Sequence, residues 1–504
     1  MTINSLIKLV NSLSSSEKRS FRLQSQIQTG NKEYLVLFDL LDGNSNPNVR
    51  ELKDAFKKRS ATASWENTCN YLSRLLLDSL VSAKKDKDVF FDLLHEIMEV
   101  KILSERSLDE EAFKQIKKLR QKASQYQQHW IEYFCCRTEL NFHSGNNFSE
   151  MDDDILVRLQ MKGKDVLKNL NQIHDHYSLY ELLKYRLNRA GKIVSEEGMK
   201  KLNDLVLSEM VLVAGKAKSF SSQKLHLLFQ SFFFTDIGDY HSASKSFHKL
   251  NELLAQNEGF LDNPPLDYLS ALTGIIDSLR MVDNHSEVSH YLDKIKTLDQ
   301  NCYPEFFRYL VRKTFCTQHI VTLLHSSQLD RAIQFINSIP PDVFDNYSMV
   351  DDEKQSELYF YCALVNFKTG RLKKAHLFIR EITNRLKLPS QLLISKAIRL
   401  LNIIIFYEKG ELLHLEYEIR SYKRFFAQAR LLKIEKLLFK VITSSAGNKR
   451  LRLTSSERRK LAEELEVVKK DRYELQLLKY FDFSLWTKAL LEEKQVRNET
   501  PGRI

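Results

Sequence analysis

The chain has 504 residues, about three to four times the length of an ordinary compact domain, which predicts several domains or a repeat array. Apolar residues make up 43% of it, too many for a disordered chain, whereas glycines number only 14 and prolines 8. A β-rich protein of this length needs turn residues about every ten positions, so the composition predicts an all-α fold and excludes a large β-protein.

The net charge of +11 is concentrated in one segment of the chain. Residues 420–472 contain sixteen lysines and arginines against six acidic residues. Because an anionic partner responds to the local field more than to the total charge, this segment is the place to expect an anion-binding surface.

The cysteines and the hydropathy pattern indicate the cellular compartment in which the protein is expected. The six cysteines show neither a CxxC motif nor a paired spacing, which is typical of buried thiols in a reducing compartment rather than of zinc ligands or disulfides. The amino terminus lacks a basic stretch followed by an apolar one. The richest apolar segment, 400–407, is eight residues long, far below the length of a membrane span. We therefore expect a cytoplasmic protein with no membrane span.

Residues 1–88 are predicted to form five short helices, at about 2–13, 16–27, 32–42, 49–59 and 65–83. The last two have the outline of a helix-turn-helix. A DNA reader needs several basic or amide side chains early in its second helix, and here that helix offers only Asn67, Asn70 and Arg74. The segment is therefore interpreted as a small helical amino-terminal cap, with a DNA-reading unit as the alternative.

Three sequences fit the capping box, in which a hydroxyl and a Glu three residues later bond reciprocally to the first turn of a helix. They begin at Ser14, Ser107 and Thr454. Residues 89–220 continue as longer helices, and residues 426–504 are predicted to form a basic helical carboxy-terminal cap.

The strongest signal is an internal repeat within residues 221–425. One copy has Gly238, Tyr240, Ala243 and Phe247, and the others place the same kinds of residue at Gly370, Ala375 and Ile379, at Gly410, Leu415 and Ile419, at Val288 and Leu292, and at Ala332 and Ile336. The small or apolar anchor thus recurs at 243, 288, 332, 375 and 415, at intervals of 45, 44, 43 and 40. A near-constant period of this size predicts helix pairs stacked into a solenoid.

The order and spacing of these residues resemble those of tetratricopeptide-repeat proteins. Gly238, Tyr240, Ala243 and Phe247 match that motif fully, whereas the copy at Gly370 has a leucine in place of the tyrosine and the copy at Gly410 is more divergent. The period also exceeds the usual 34 residues. The resemblance implies an α-solenoid of stacked antiparallel helix pairs with helical caps at both ends. Generic helical hairpins without true homology would give the same architecture.

Residues that could carry chemistry are few. His174 and His176 flank an aspartate, but residues two apart on a helix point in nearly opposite directions, so a solvated helix segment is favoured over a metal site. The sequence contains no GxGxxG, GxxxxGK[ST], GxSxG or HExxH motif. We therefore expect no enzyme, no metal and no cofactor.

The basic segment supplies the only predicted anion-binding residues: Lys449, Arg450, Arg452, Arg458 and Arg459. Glu463, Glu464 and Glu466 follow on the same helix and partly neutralise them.

The sequence favours a non-enzymatic scaffold or adaptor that binds a protein or peptide on a concave surface built by the first helix of each pair. The alternative is a nucleic-acid-associated regulator that uses residues 420–472 and the amino-terminal unit. An enzyme with a site between helices is the third possibility.

Overall fold

The computed structural model describes residues 1–27, 32–42, 48–60, 63–85, 87–149, 151–190, 196–200, 202–213, 219–260, 263–345, 350–428, 431–445 and 453–499. These residues contain helices and no strand, so the all-α prediction is confirmed. Many of the helices pack against their neighbours in the chain as pairs. Within the described residues, no helix is both long enough and apolar enough to cross a membrane.

The helices are α1 (Ile3–Ser12), α2 (Ser15–Ile27), α3 (Glu33–Asp42), α4 (Val49–Arg59), α5 (Trp65–Lys85), α6 (Val89–Glu105), α7 (Asp109–Gln125), α8 (His129–Gly145), α9 (Asp153–Ala190), α10 (Glu196–Lys200), α11 (Asn203–Val213), α12 (Phe220–Asp236), α13 (Tyr240–Gln256), α14 (Leu266–Met281), α15 (Val288–Thr297), α16 (Glu305–His325), α17 (Leu329–Ser338), α18 (Asp342–Asp345), α19 (Asp352–Lys368), α20 (Leu372–Arg385), α21 (Leu393–Lys409), α22 (Leu412–Phe425), α23 (Lys433–Ser445), α24 (Ser455–Lys470), α25 (Arg472–Leu478) and α26 (Phe483–Glu499). A short 3₁₀ helix covers Glu258–Phe260.

The chain divides into two compact units. Unit 1 comprises residues 1–171, 259–265 and 300–308, and unit 2 comprises residues 172–258, 266–299 and 309–504. In unit 1, the five helices expected within residues 1–88 are present as α1–α5 and enclose one core that includes Leu6, Phe38 and Leu72. A second core of unit 1 lies among α6, α7 and α8. The largest core of unit 2 extends from residue 316 to residue 491.

Six of the turns between successive helices share one backbone geometry. A residue in the left-handed region lies two positions before the next helix begins, and the amide after it donates to the carbonyl five residues back over 2.8–3.2 Å. This bond closes the Schellman motif and satisfies a carbonyl at the end of the preceding helix. The left-handed residues are Ser107, Gln127, Gly238, Ser327, Gly370 and Gly410, with φ between 52° and 78°.

Two of the three predicted capping boxes are formed. Ser14 and Thr454 each accept the amide of the Glu three residues later, and that Glu accepts the amide of the hydroxyl residue. The box predicted at Ser107 is wrong. Ser107 occupies the left-handed position of a turn, and α7 begins after Leu108, which makes no side-chain cap bond.

The five anchor positions of the repeat are all buried. Ala243, Val288, Ala332, Ala375 and Leu415 are each no more than 1% exposed, and Phe247, Leu292, Ile336, Ile379 and Ile419 are buried as well. Tyr240 is also buried. At Gly274 of α14, an added Cβ would overlap the ring of Phe247 on α13. The absence of a side chain at Gly274 therefore lets α14 approach α13 closely.

The carboxy-terminal segment runs along several of these turns within unit 2. Gln476 of α25 donates to the carbonyls of Thr235 and Asp236 at the end of α12, over 3.1 Å in each case. Further along the segment, Phe481 packs on Phe367 near the Gly370 turn, and Trp486 packs on Tyr407 near the Gly410 turn. The segment therefore does more than cover the last helix pair.

Candidate partner-binding pocket

The second helices of two pairs, α17 and α20, border a pocket with a volume of about 380 Å³. Its walls are largely apolar because each helix turns a stripe of large side chains towards it. The apolar lining residues are Ile333, Ile336, Phe344, Tyr359, Leu377 and Phe378. Leu377 is 48% exposed, so this wall is open to a partner. Tyr359 of α19 also lines the pocket, so the pocket draws on first and second helices and not only on the first helices favoured by the sequence pattern.

The rim of the pocket is electropositive. Glu381 lies at the rim, but its carboxylate is 2.8 Å from the guanidinium of Arg385. Arg371 and Lys374 also line the pocket and are exposed, and neither has a carboxylate partner among the described residues. Two unpaired cations beside an apolar pocket favour a ligand that carries a carboxylate next to a large apolar side chain.

A buried polar network fixes the wall formed by α18. The carbonyl of Phe344 accepts from the Tyr359 hydroxyl at 3.2 Å and from Nε2 of Gln355 at 2.9 Å. Oε1 of Gln355 accepts a hydrogen bond from Nζ of Lys313. Lys313 is only 2% exposed. Burial lowers the pKa of Lys313 to about 7. Because these groups satisfy one another, the pocket wall is preorganised before any ligand binds.

The predicted anion-binding residues are only partly described. Lys449, Arg450 and Arg452 lie outside the described residues. Nε of Arg458 donates to the carbonyl of Leu453 at 3.2 Å, and Nε of Arg459 lies 3.1 Å from Oε1 of Glu463. Arg459 therefore has a carboxylate of its own helix beside it, whereas the contact of Arg458 is with a backbone carbonyl.

The interpretation of the His174–His176 segment as solvated is wrong for His176. His174 is exposed, but the side chain of His176 is 2% exposed, and its Nδ1 lies 3.3 Å from Oε1 of Glu209 on α11. Nδ1 of His226 on α12 lies 2.7 Å from the same oxygen. Burial opposes ionisation of Glu209, but the hydrogen bond with His226 and the close contact with His176 outweigh it and lower the pKa of the carboxyl.

This histidine pair and carboxylate do not form a metal centre. In the part of the chain that the structure describes, no group of three histidine, cysteine or acidic side chains is arranged to hold a metal ion. We assign the cluster a structural role, in which it joins α9, α11 and α12 through one shared oxygen. Sequence reasoning missed Glu209 because its partners lie 33 and 17 residues away, on other helices.

The pocket was also invisible to sequence reasoning. Its apolar residues come from four helices, and no local pattern joins them. One signal was present: Leu377 lies two residues after the buried anchor Ala375, where a paired helix ordinarily presents a polar residue. An exposed leucine beside Lys374 is a feature that could have identified this surface.

Comparisons with protein-family models, with curated proteins and with solved structures find no match to this chain. Its function must therefore be inferred from its own geometry.

Proposed function

We propose that the protein is a non-enzymatic scaffold that binds a protein or peptide partner on its helical-repeat surface. The observation that carries the proposal is the pocket between α17 and α20, with its apolar wall and unpaired cationic rim. Such a pocket suits one large apolar side chain of a peptide whose neighbouring residues are acidic. The free state of all six cysteines supports placing this activity in the cytoplasm.

The same proposal includes an α-solenoid similar to tetratricopeptide repeats, with a longer period, for the helix pairs from α12 to α22. The recurrent Schellman turns, the buried anchor positions and the close approach of α14 to α13 support it. A solenoid places equivalent helices side by side, which creates pockets between them of the kind seen here.

Selection of a displayed peptide library on the full-length protein tests the pocket. We expect enriched peptides to share a large apolar residue flanked by Asp or Glu. In the variant R371E/K374E, the flanking preference should change to Lys or Arg, because the rim charge is inverted while the apolar wall remains.

The matched control is K373E/R380E, which inverts two exposed charges on the same helix but outside the pocket lining. It should keep the preference for acidic flanks. Peptides whose flanking residues do not respond to R371E/K374E, or a wild-type selection without a consensus, would contradict the proposal.

A further inference from the structure

The helices α22 and α23 carry exposed cations, and the one acidic residue of α23 is occupied inside the fold. On α22, Glu416 is exposed four residues before Arg420. On α22, Leu415, Ile419 and Tyr422 are buried. Tyr417, Arg420 and Arg424 lie on the opposite face, at i, i+3 and i+7, and all three are exposed. Two guanidinium groups and the ring of Tyr417 are therefore aligned along this face of the helix. Tyr417 is 58% exposed.

The exposed face of α23 is a row of lysines. Lys433, Lys436 and Lys440 are exposed at i, i+3 and i+7, whereas the one acidic residue of this helix, Glu435, is fully buried. The Glu435 carboxylate lies 2.9 Å from Nζ of Lys396 and also accepts from the Tyr422 hydroxyl. Because its charge is compensated from inside the fold, Glu435 leaves the lysine row outside uncompensated.

Two further carboxylates near the lysine row of α23 are also engaged. Glu474 is buried and accepts the amides of Lys433 and Ile434, at 2.8 and 3.2 Å, which caps the first turn of α23. Glu457 lies towards Lys440, but its carboxylate forms the capping box of α24 with Thr454. Among the three lysines of this row, Lys433 alone has an ion pair, in which its Nζ lies 3.8 Å from Oδ2 of Asp471.

The two rows lie on packed helices. The rings of Tyr422 on α22 and Phe439 on α23 are 5.2 Å apart, and Nζ of Lys423 lies 5.9 Å from the centre of the Phe439 ring. We define the α22–α23 basic surface as Tyr417, Arg420, Arg424, Lys436 and Lys440.

We propose that the α22–α23 basic surface binds single-stranded nucleic acid, with its four cations on the phosphates and the Tyr417 ring stacked on a base. Proteins that bind single strands without sequence preference combine a cationic track with exposed aromatic rings, and α22 supplies both on one face. The four cations of this surface lie within the basic segment 420–472 expected from the sequence, but they are not among the five residues predicted there to bind anions, and the surface is independent of the pocket.

Fluorescence anisotropy of a labelled oligo(dT) of about 20 nucleotides, with the full-length protein, tests the proposal. The affinity should fall with salt, with a slope of log K against log salt of about −3 for four phosphate contacts on a single strand. In K436Q/K440Q the slope should shrink to about −1.5. The control K117Q/K118Q removes two exposed charges from α7 and should keep the wild-type slope.

Tyr417 provides a second readout. Tyr417→Leu should weaken binding about tenfold without changing the salt slope, whereas Tyr417→Phe should keep the affinity. These side chains are exposed, so unchanged circular-dichroism melting curves would show that each variant folds.

Three outcomes would overturn the proposal: no binding of the oligonucleotide at low salt, a slope that K436Q/K440Q leaves unchanged, or loss of affinity in K117Q/K118Q equal to that in K436Q/K440Q. Phosphatidylserine vesicles form the comparison arm. Vesicle binding that needs Lys436 and Lys440, with no binding of oligo(dT), would assign the surface to membranes instead.

Discussion

Glu209 shows how a buried ionised residue is retained at the scale of a single side chain. Its side chain is 4% exposed, and its Oε1 faces the Nδ1 atoms of both His176 and His226. Because these contacts lower the pKa of Glu209 below its usual 4.5, the folded state favours the ionised carboxyl. This contribution to stability is present above about pH 4.5 and is lost as the pH falls through the lowered pKa.

Replacing Glu209 by Gln should therefore destabilise the protein by about 1–3 kcal/mol at pH 6, where the carboxylate is ionised. The difference from wild type should shrink as the pH falls below 4.5. Urea unfolding of both proteins at a series of pH values measures it. A difference that stays constant down to the acid limit of the folded state would show that Glu209 is not ionised there.

Lys313 is a buried lysine whose partners do not stabilise its charged form as a carboxylate would, because it faces an amide and a carbonyl. Burial lowers its pKa from 10.5 to about 7. Between these two values the unfolded chain binds a proton that the folded chain does not, so the free energy of unfolding should rise with pH across that interval.

Lys313→Met should remove this rise, which amounts to as much as about 5 kcal/mol. The substitution also leaves Oε1 of Gln355 without its donor, but that cost does not depend on pH. Unfolding by guanidinium chloride at pH 7 and at pH 9.5 separates the titration of Lys313 from the lost hydrogen bond to Gln355. Only the titration makes the difference in unfolding free energy between wild type and Lys313→Met depend on pH. Parallel pH curves for the two proteins would contradict a neutral buried lysine.

At the scale of helices and turns, the sequence predicted the hairpins that contain glycine and, through their apolar anchors, the glycine-free copies at Val288 and Ala332, but it missed the turns at Ser107 and Gln127. Gly238, Gly370 and Gly410 were recognisable because glycine favours the left-handed region. Ser107 and Gln127 adopt the same conformation. Their residue types give no such signal, and Ser107 was therefore mistaken for a helix cap. Helix existence was predictable from apolar periodicity, whereas the turn chemistry was predictable only at the glycines.

Gly370→Ala should destabilise the protein by about 1–2 kcal/mol. An added Cβ at Gly370 meets nothing within 4 Å, so the cost comes from φ of +73° alone. Gly370→Asn should cost less, since asparagine tolerates this region better. The control is Gly259→Ala, where the space is also open and φ is not positive. Chemical denaturation compares the variants, and equal costs for Gly370→Ala and Gly259→Ala would refute the explanation.

Packing between helices allows a coupled test. Gly274→Ala should destabilise the protein by about 1–3 kcal/mol, because its Cβ must displace the Phe247 ring. In Phe247→Leu the space near Gly274 is larger, so adding Gly274→Ala to that variant should cost less than it does in wild type. A double-mutant cycle of unfolding free energies measures the coupling. Additive costs would mean that the ring and the glycine do not determine this helix spacing.

At the scale of the whole molecule, the spacing of the predicted repeat identified the buried anchor residues but not the contacts that connect distant helices. The anchors are local, each within one helix pair, and so a periodic pattern reveals them. The contact of Gln476 with α12 joins residues 240 and 241 positions apart, and no repeat or motif marks it. For the same reason, neither the pocket nor the Glu209 cluster could be assembled from sequence.

Gln476→Leu tests whether the carboxy-terminal segment stabilises distant helix pairs. Gln476 is fully buried, its amide nitrogen donates to two carbonyls at the end of α12, and its oxygen accepts from the Tyr240 hydroxyl at 3.3 Å. Leucine preserves most of the volume but leaves these groups without this partner, so we expect a loss of about 2–4 kcal/mol. Hydrogen exchange should increase at residues 235–240, even though the substitution lies far along the chain.

Trp486→Phe is the matched control in the same segment, because it removes the hydrogen bond from Nε1 to Glu408 at the end of α21. Its effect on exchange should be centred on residues 405–410 and should spare residues 235–240. If instead Gln476→Leu increased exchange only in α21–α26, the segment would act as a simple terminal cap, as the sequence had suggested. An increase at residues 235–240 would show that the segment connects the α12–α13 helix pair to the end of the chain. Such an interaction goes beyond the nearest-neighbour contacts of a simple stack of repeats.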